Sequence, residues 1–252
     1  MIWIISGLLI AGAGVGGHYL YNLFFEVNAI NKEQKGYEQG SGTVTKEQRE
    51  ILPFDKLKVS GSFNVFLLQG ETESVEVEID DNLQQYVRFR NEGNKMFLDT
   101  KDSLDFSKTT RKNVYITLKN LDVLEASGRC KIRPSGSLKG NQLTITGSGA
   151  TNVELELYYN QLNVSISGSA HMKLHGETEA LDIKKSGTGH YDSMNLKAAK
   201  VIVNNRGIGS VSVYASQELS MTNSGIGSIT YSGDAEIKTR EASGVGSIKK
   251  KK

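Results

Sequence analysis

One cysteine, Cys130, stands in the whole 252-residue chain, which excludes an internal disulfide and any all-cysteine metal site. It follows a glycine by two positions and has no base beside it in sequence, so it reads as structural rather than nucleophilic. Charge of one sign is equally scarce. The 30 Lys and Arg against 28 Asp and Glu leave a net charge of +2, with the signs interleaved, and that removes the electrostatic footprint of a nucleic-acid partner. Histidines number 4. His171 and His175 share an outward strand face, but Lys173 stands between them, a poor start for a metal pair. The glycine-aspartate nonapeptide that holds calcium is absent. Long apolar runs are missing outside residues 2–25, and helix formers are nearly missing from return segments such as Val211-Ser-Val-Tyr214. No cofactor or metal site is expected.

What the chain has in excess is glycine, 27 residues against 2 prolines, and from residue 121 these glycines keep time. Gly128, Gly149, Gly168, Gly187, Gly207, Gly225 and Gly244 are separated by 21, 19, 19, 20, 18 and 19 residues. Four positions before them stand Leu124, Ile145, Val164, Ile183, Val203, Met221 and then Arg240. Four positions after stand Ile132, Val153, Met172, Tyr191, Val211, Ile229 and Ile248. Alternate residues of a strand share a face, so Leu143 with Ile145, or Leu181 with Ile183, presents an apolar stripe that one strand cannot bury alone. A fixed period near 20 residues signals a solenoid, in which neighbouring repeats complete one another's core. Leucine-rich repeats share the period but not the alternation of the return segments, such as Val211-Ser-Val-Tyr214. An all-β parallel β-helix with coils of 19–20 residues is predicted. Each coil climbs by one interstrand spacing of ~4.8 Å. Ile145, Val153, Val164, Met172, Ile183, Val203, Val211, Met221 and Ile229 are its predicted core columns. The marker glycines are its corners, placed there for backbone angles that other residues resist. Leu57, Gly61 and Val65 already follow the same rule.

Residues 1–25 are apolar and long enough to span a bilayer, which takes about 20 residues. A cleaved signal peptide is the rival reading, with Ala11-Gly-Ala13 as the cleavage site. The missing basic leader and the apolar residues that continue through Phe25 favour an uncleaved transmembrane helix. Gly12, Gly14 and Gly17 spell a dinucleotide-binding turn, but no second strand follows to make the βαβ unit that the motif requires. Gly12 and Gly16, four apart, offer a close helix contact and hence a weak homo-oligomer. Residues 26–50 are polar and read as a tether. Residues 51–252 read as the β-helix domain, irregular over 51–120 and regular over 121–252. In the irregular part, strands are predicted over 74–79, 86–90, 95–99 and 113–118, a short helix over 80–85, and an exposed contact loop over 100–111.

The ordered set of strands also carries a resemblance. The run from Phe54 to Gly70, then Glu73-Ser-Val-Glu-Val77, then Val114-Tyr-Ile-Thr-Leu-Lys-Asn-Leu121 and the Ser-Gly repeats resemble the head GIN domain family of auto-transporter adhesins over about four-fifths of the chain. The resemblance implies a right-handed β-helix, placement in the bacterial envelope and no catalytic residues. The corners here read Gly-Ile-Gly and Gly-Val-Gly where the family name suggests Gly-Ile-Asn. No membrane barrel follows the repeats, so self-export is not expected.

Two function classes follow. One is a non-catalytic envelope domain for adhesion or scaffolding, with an envelope protein or polysaccharide as partner. The other is a glycan-binding or glycan-cleaving β-helix, which for cleavage needs facing carboxylates. The acids are scattered, and the pairs Glu154/Glu156 and Glu177/Glu179 read as solvated strand faces. Tyr158, Tyr159, Tyr214 and Tyr231 could stack on sugars but do not form one column. Asn205 and Asn223 share an offset and predict a short hydrogen-bonded ladder with a structural role. Lys249, Lys250, Lys251 and Lys252 are expected to replace the last returning strand and to cap the open end.

Overall fold

The structure is a computed structural model that describes residues 37–101 and 105–251. The transmembrane segment expected over residues 1–25, and the tether as far as residue 36, lie outside the described residues. No helix among the described residues is long and apolar enough to cross a membrane.

The fold is an all-β solenoid of about seven turns. Each coil has an approach wall before its marker glycine and a return wall after it. Long strands such as Asn152–Ile166, Ser169–Lys185 and Thr188–Asn205 run from one wall round the far bend into the next. All coil-to-coil pairing is parallel. On the approach wall Met96, Leu57, Leu124, Ile145, Val164, Ile183, Val203 and Met221 stand in consecutive register. On the return wall the column is Val114, Val65, Ile132, Val153, Met172, Tyr191, Val211, Ile229 and Ile248. Every member is buried, and burying each aliphatic side chain contributes about 1.5–3 kcal/mol. Coil lengths differ, yet the columns stay aligned. Register shifts absorb the difference between Lys173 and His175 and between Ser193 and Lys200, towards the far bend, and once on the last approach wall, between Leu219 and Ser220.

The corner glycines stack on one another, and two different constraints keep side chains out of their column. Gly61, Gly128 and Gly149 have φ of 108°, 78° and 73°, a conformation that favours glycine. Gly168, Gly187, Gly207, Gly225 and Gly244 do not have positive φ. A Cβ on Gly187, Gly207, Gly225 or Gly244 would sit 2.1 Å from the carbonyl oxygen of the glycine one coil below, and on Gly168 2.3 Å from the Gly149 nitrogen. At these five corners close backbone approach, not bending, excludes a side chain.

Polar residues enter the core two positions before the later corners. Ile166, Lys185, Asn205 and Asn223 stand in register. Asn205 Nδ2 donates to Asn223 Oδ1 at 2.8 Å, and Asn223 Nδ2 donates to the Gly227 carbonyl at 2.9 Å. Lys185 shares this column, is 1% exposed, and donates to the carbonyls of Gly187 (3.0 Å) and Ile208 (2.6 Å).

Both ends depart from the sequence reading. Val44–Arg49, read as tether, is a strand antiparallel to Ser74–Asp80, which in turn pairs with Lys112–Leu118. The domain therefore starts before Ile51. Lys, Glu and Gln resist burial, but an edge strand needs main-chain partners more than an apolar face, and its charges keep other chains off. Lys46 pairs with Glu76 at 2.7 Å, and Arg49 donates to Gln84 Oε1 at 2.8 Å. A 3₁₀ turn, Asp81–Tyr86, stands where the short helix was expected. The loop over 100–111 is anchored rather than free: Asp105–Ser107 pairs with Tyr37–Gln39, and buried Phe106 meets Phe63 edge-on at 6.3 Å. At the C-terminal end the lysine run does not replace the returning strand. Val245–Lys250 is that strand, with Thr230 opposite Lys249 and Tyr231 opposite Lys250. The Lys251 amide continues the ladder to the Tyr231 carbonyl, and Lys252 lies outside the described residues. Arg240, in the approach column, donates across the end to the Ile248 carbonyl at 2.7 Å.

Two stability tests follow from this packing. Gly225→Ala keeps an ordinary φ but drives a methyl into the Gly207 carbonyl, so it should destabilise by about 1–3 kcal/mol in chemical denaturation. Unchanged stability would mean that the corners are not stacked this closely. The second concerns Lys185, whose ammonium burial holds below the ordinary lysine pKa. The unfolded chain then binds more protons than the folded one between the lowered value and 10.5, so folding gains from rising pH across that window. The carbonyls of Gly187 and Ile208 keep main-chain donors, Ile208 N and Gly189 N, without the lysine. Lys185→Met should thus melt at or above the parent at pH 7, and the parent should close or reverse the gap towards pH 10. A gap independent of pH would show that the buried ammonium carries no such penalty.

Candidate functional site

The outer faces carry ladders of polar side chains. On the return wall Asn64, Lys131, Asn152, His171 and His190 stand in consecutive register, and His190 continues to Ser210. His171 therefore stacks on His190, with ring centroids 5.4 Å apart, rather than sharing a site with His175. The signal was legible, since both lie three positions after a marker glycine. His175 Nε2 stands 3.7 Å from Glu154. Among the described residues no group of three metal-ligating side chains converges. Cys130 is buried, and burial pushes its thiol up to about 11, away from the thiolate that a nucleophile needs.

The acids are dispersed among cations. Glu154 has Arg133 at 3.6 Å and Lys173 at 3.7 Å, an alternation of charge along one outward column. Glu177 pairs with Lys197 at 3.2 Å and Asp182 with Lys184 at 3.7 Å. Glu156 accepts from the Tyr158 hydroxyl at 3.1 Å, and its carboxylate raises the pKa of that phenol.

A concave surface forms at the far bend, beside the register shifts between Ser193 and Lys200. A groove of about 470 Å³ is lined by Tyr158, Tyr159, Asn160, Glu177, Lys197 and Tyr214, among others. Tyr159 is its floor: the ring is buried over Gly140, where a Cβ would meet it at 2.5 Å, and its hydroxyl donates to the Leu121 carbonyl at 3.0 Å. Tyr158 is 38% exposed, with the Lys139 ammonium 5.7 Å from its ring centroid. Tyr214 is half-buried on the far side. These three tyrosines are not in register, as the sequence indicates, yet the groove crosses the coils and gathers them. Only the bend geometry brings this about, and the bend is where the repeat spacing is least regular. Tyr231 is buried elsewhere.

Such a groove is suited to ring-shaped polar ligands. Aromatic faces are electron-rich and apolar and accept C–H edges, while Asn160, Glu177, Thr178 and Lys197 offer donors and acceptors around them.

Comparison with known proteins places this architecture. The family model described as "Putative auto-transporter adhesin, head GIN domain" matches residues 53–235. A solved "putative adhesin" from Bacteroides fragilis superposes with a TM-score of 0.81 at 24% identity, over 85% of this chain and 100% of its own. A solved "putative lipid binding protein" from Parabacteroides distasonis gives 0.68 at 24% identity, over 86% and 100%. A "putative adhesin" from Parabacteroides merdae gives 0.63 at 24% identity, over 86% and 99%. At these identities the likeness to the solved structures is one of fold. No curated protein matches the chain. The match over residues 53–235, on a solenoid whose corners and columns run through that whole span, makes the chain a member of the head GIN domain family.

Proposed function

We propose that the solenoid is a non-catalytic binding domain of the bacterial cell envelope, which attaches to surface polysaccharide through its outer face. The observation that carries this reading is the groove at the far bend, with two accessible tyrosine rings and a polar rim. The adhesin names of the family and of its solved relatives support it. A right-handed coil is part of the proposal, in keeping with the near-universal hand of parallel β connections. Residues 1–25 hold the domain at a membrane in this reading. The charge of Lys249, Lys250 and Lys251 at the open edge opposes end-to-end stacking of two copies.

Two measurements test it. The full-length protein should require detergent for extraction from membranes, and appearance in the soluble fraction after cell breakage would remove the anchor. On a glycan array, with a turnover assay on every positive, the detergent-solubilised chain should bind polysaccharide without releasing products. The double variant Tyr158→Ala/Tyr214→Ala should lose about tenfold in affinity, ~1.4 kcal/mol, while melting like the parent. Product release would replace adhesion by glycan cleavage, and full retention of binding by the variant would move the site off the groove.

A further inference from the structure

A second cavity lies where the irregular first coil meets the regular repeats. It measures about 310 Å³, and its lining includes Ser62, Asn64, Arg111, Lys112, Arg129 and Lys131. The topology explains the gathering of cations. Asn64 is in register with Asn113 on one side and Lys131 on the other, so the lysines at 112 and 131 flank it from neighbouring strands. Arg129 follows the corner Gly128, which is stacked on Gly61, the residue before Ser62.

The charges in this cavity do not balance. Arg111 is paired with Glu78 at 2.5 Å, and Arg129 with Asp105. Glu78 also accepts from Asn113 Nδ2 at 2.8 Å and from the Tyr115 hydroxyl at 2.9 Å. Burial works to raise its pKa, but these donors and the guanidinium outweigh it and hold the carboxyl below its ordinary value. Glu78 is therefore ionised, and both carboxylates are engaged. Lys112 has one hydrogen bond, to the Ser62 hydroxyl at 2.9 Å, and no ion-pair partner among the described residues. Lys131 is exposed and has no ion-pair partner among them either. Among the described residues, two ammonium charges thus stand without an ion pair in one polar recess. For Lys112 the arrangement is unfavourable in itself: burial, with the charge of Arg129 beside it, outweighs the attraction of Asp105 and lowers its pKa. An unpaired, partly desolvated cation costs stability, and a structural role alone does not require one here.

We propose that this cavity binds a phosphate monoester, whose double negative charge matches the two unpaired ammonium groups. Lys112 and Lys131 supply the neutralising charge. The Ser62 hydroxyl and the solvent-facing N–H groups of Arg111 and Arg129, whose side chains are 57% and 67% exposed, supply further donors. Glu78 and Asp105 orient the two guanidinium groups from behind, leaving their outer edges free to grip oxygen in the fork geometry suited to phosphate. The site is separate from the tyrosine groove in lining and in chemistry, and it stands or falls independently of it.

A phosphomonoester in the envelope can come from a sugar phosphate or from a lipid headgroup, and calorimetry on the full chain in non-ionic detergent separates them. The probes are inorganic phosphate, a hexose 1-phosphate, a short-chain phosphatidate and, as controls, acetate and short-chain phosphatidylcholine. Phosphate-bearing probes should bind with an affinity that falls as salt rises, and preference between hexose phosphate and phosphatidate names the source. Lys131→Met, at an exposed side chain, should weaken binding roughly tenfold or more. Lys112→Met should do the same, while Lys184→Met on the opposite wall leaves binding unchanged. Equal heats for acetate and phosphate, an equal loss in the Lys184 variant, or no effect of Lys131→Met would overturn the proposal.

Discussion

The parallel main-chain ladder that lifts each coil onto the one below is the constraint from which the rest of this molecule follows. It holds successive backbones at ~4.8 Å, and at the corners it holds them so close that a methyl at Gly225 would lie 2.1 Å from a carbonyl oxygen. A residue with a side chain anywhere in that glycine column would push two coils apart. The corner therefore fixes the register, and the register fixes which side chains face inward for the length of the strand that follows. The apolar columns are a consequence: Val203 and Val211 are buried because Gly207 stands midway between them.

Stacking of this kind makes like neighbours, which is favourable for apolar side chains and demanding for polar ones. Asn205 can donate to its copy Asn223 one coil away, and Asn223 passes its own donor on to the Gly227 carbonyl, which leaves Asn205 Oδ1 buried without a partner among the described residues. A lysine cannot do that, and Lys185 turns instead to the corner carbonyls. The same demand appears at the two ends, where the ladder has no further copy to meet. One end adds antiparallel strands with a charged outer edge, Val44–Arg49. At the other, Arg240 leaves its place in an apolar column and covers the Ile248 carbonyl.

The regular part of the fold was legible residue by residue, because spacing, alternation and glycine position all report the same ladder. Its ends were not. The strand at 44–49 is made of residues that alternate in nothing, and only its antiparallel partner at Ser74–Asp80 makes it a strand. Phe106, one aromatic in a polar loop, anchors that loop through a contact with Phe63 that no local pattern announces. The corner glycines were recognised but half misread, since composition cannot distinguish a positive φ from a close approach. The candidate site was the least legible of all. Tyr158 and Tyr214 have different offsets from their marker glycines and line one groove three coils apart, whereas the neighbouring pair His171 and His190 could have been read from shared offsets.

That contrast bears on where function can reside in a solenoid. A perfect repeat has a flat outer wall: each outward residue has the same neighbours above and below, and charges such as Arg133, Glu154 and Lys173 neutralise along their column. Interrupting the ladder adds concave shape and unbalanced charge. Here the groove opens at the bend where Ser193 to Lys200 slip in register. The cationic recess opens where a long irregular excursion, running from Gly70 to Lys112, separates the first corner from the second. The tyrosine groove and the cationic recess thus both lie at breaks in the repeat, while the regular coils, which carry a polar recess of about 390 Å³ of their own beside Ser165, Lys184 and Arg206, hold the irregular segments in position.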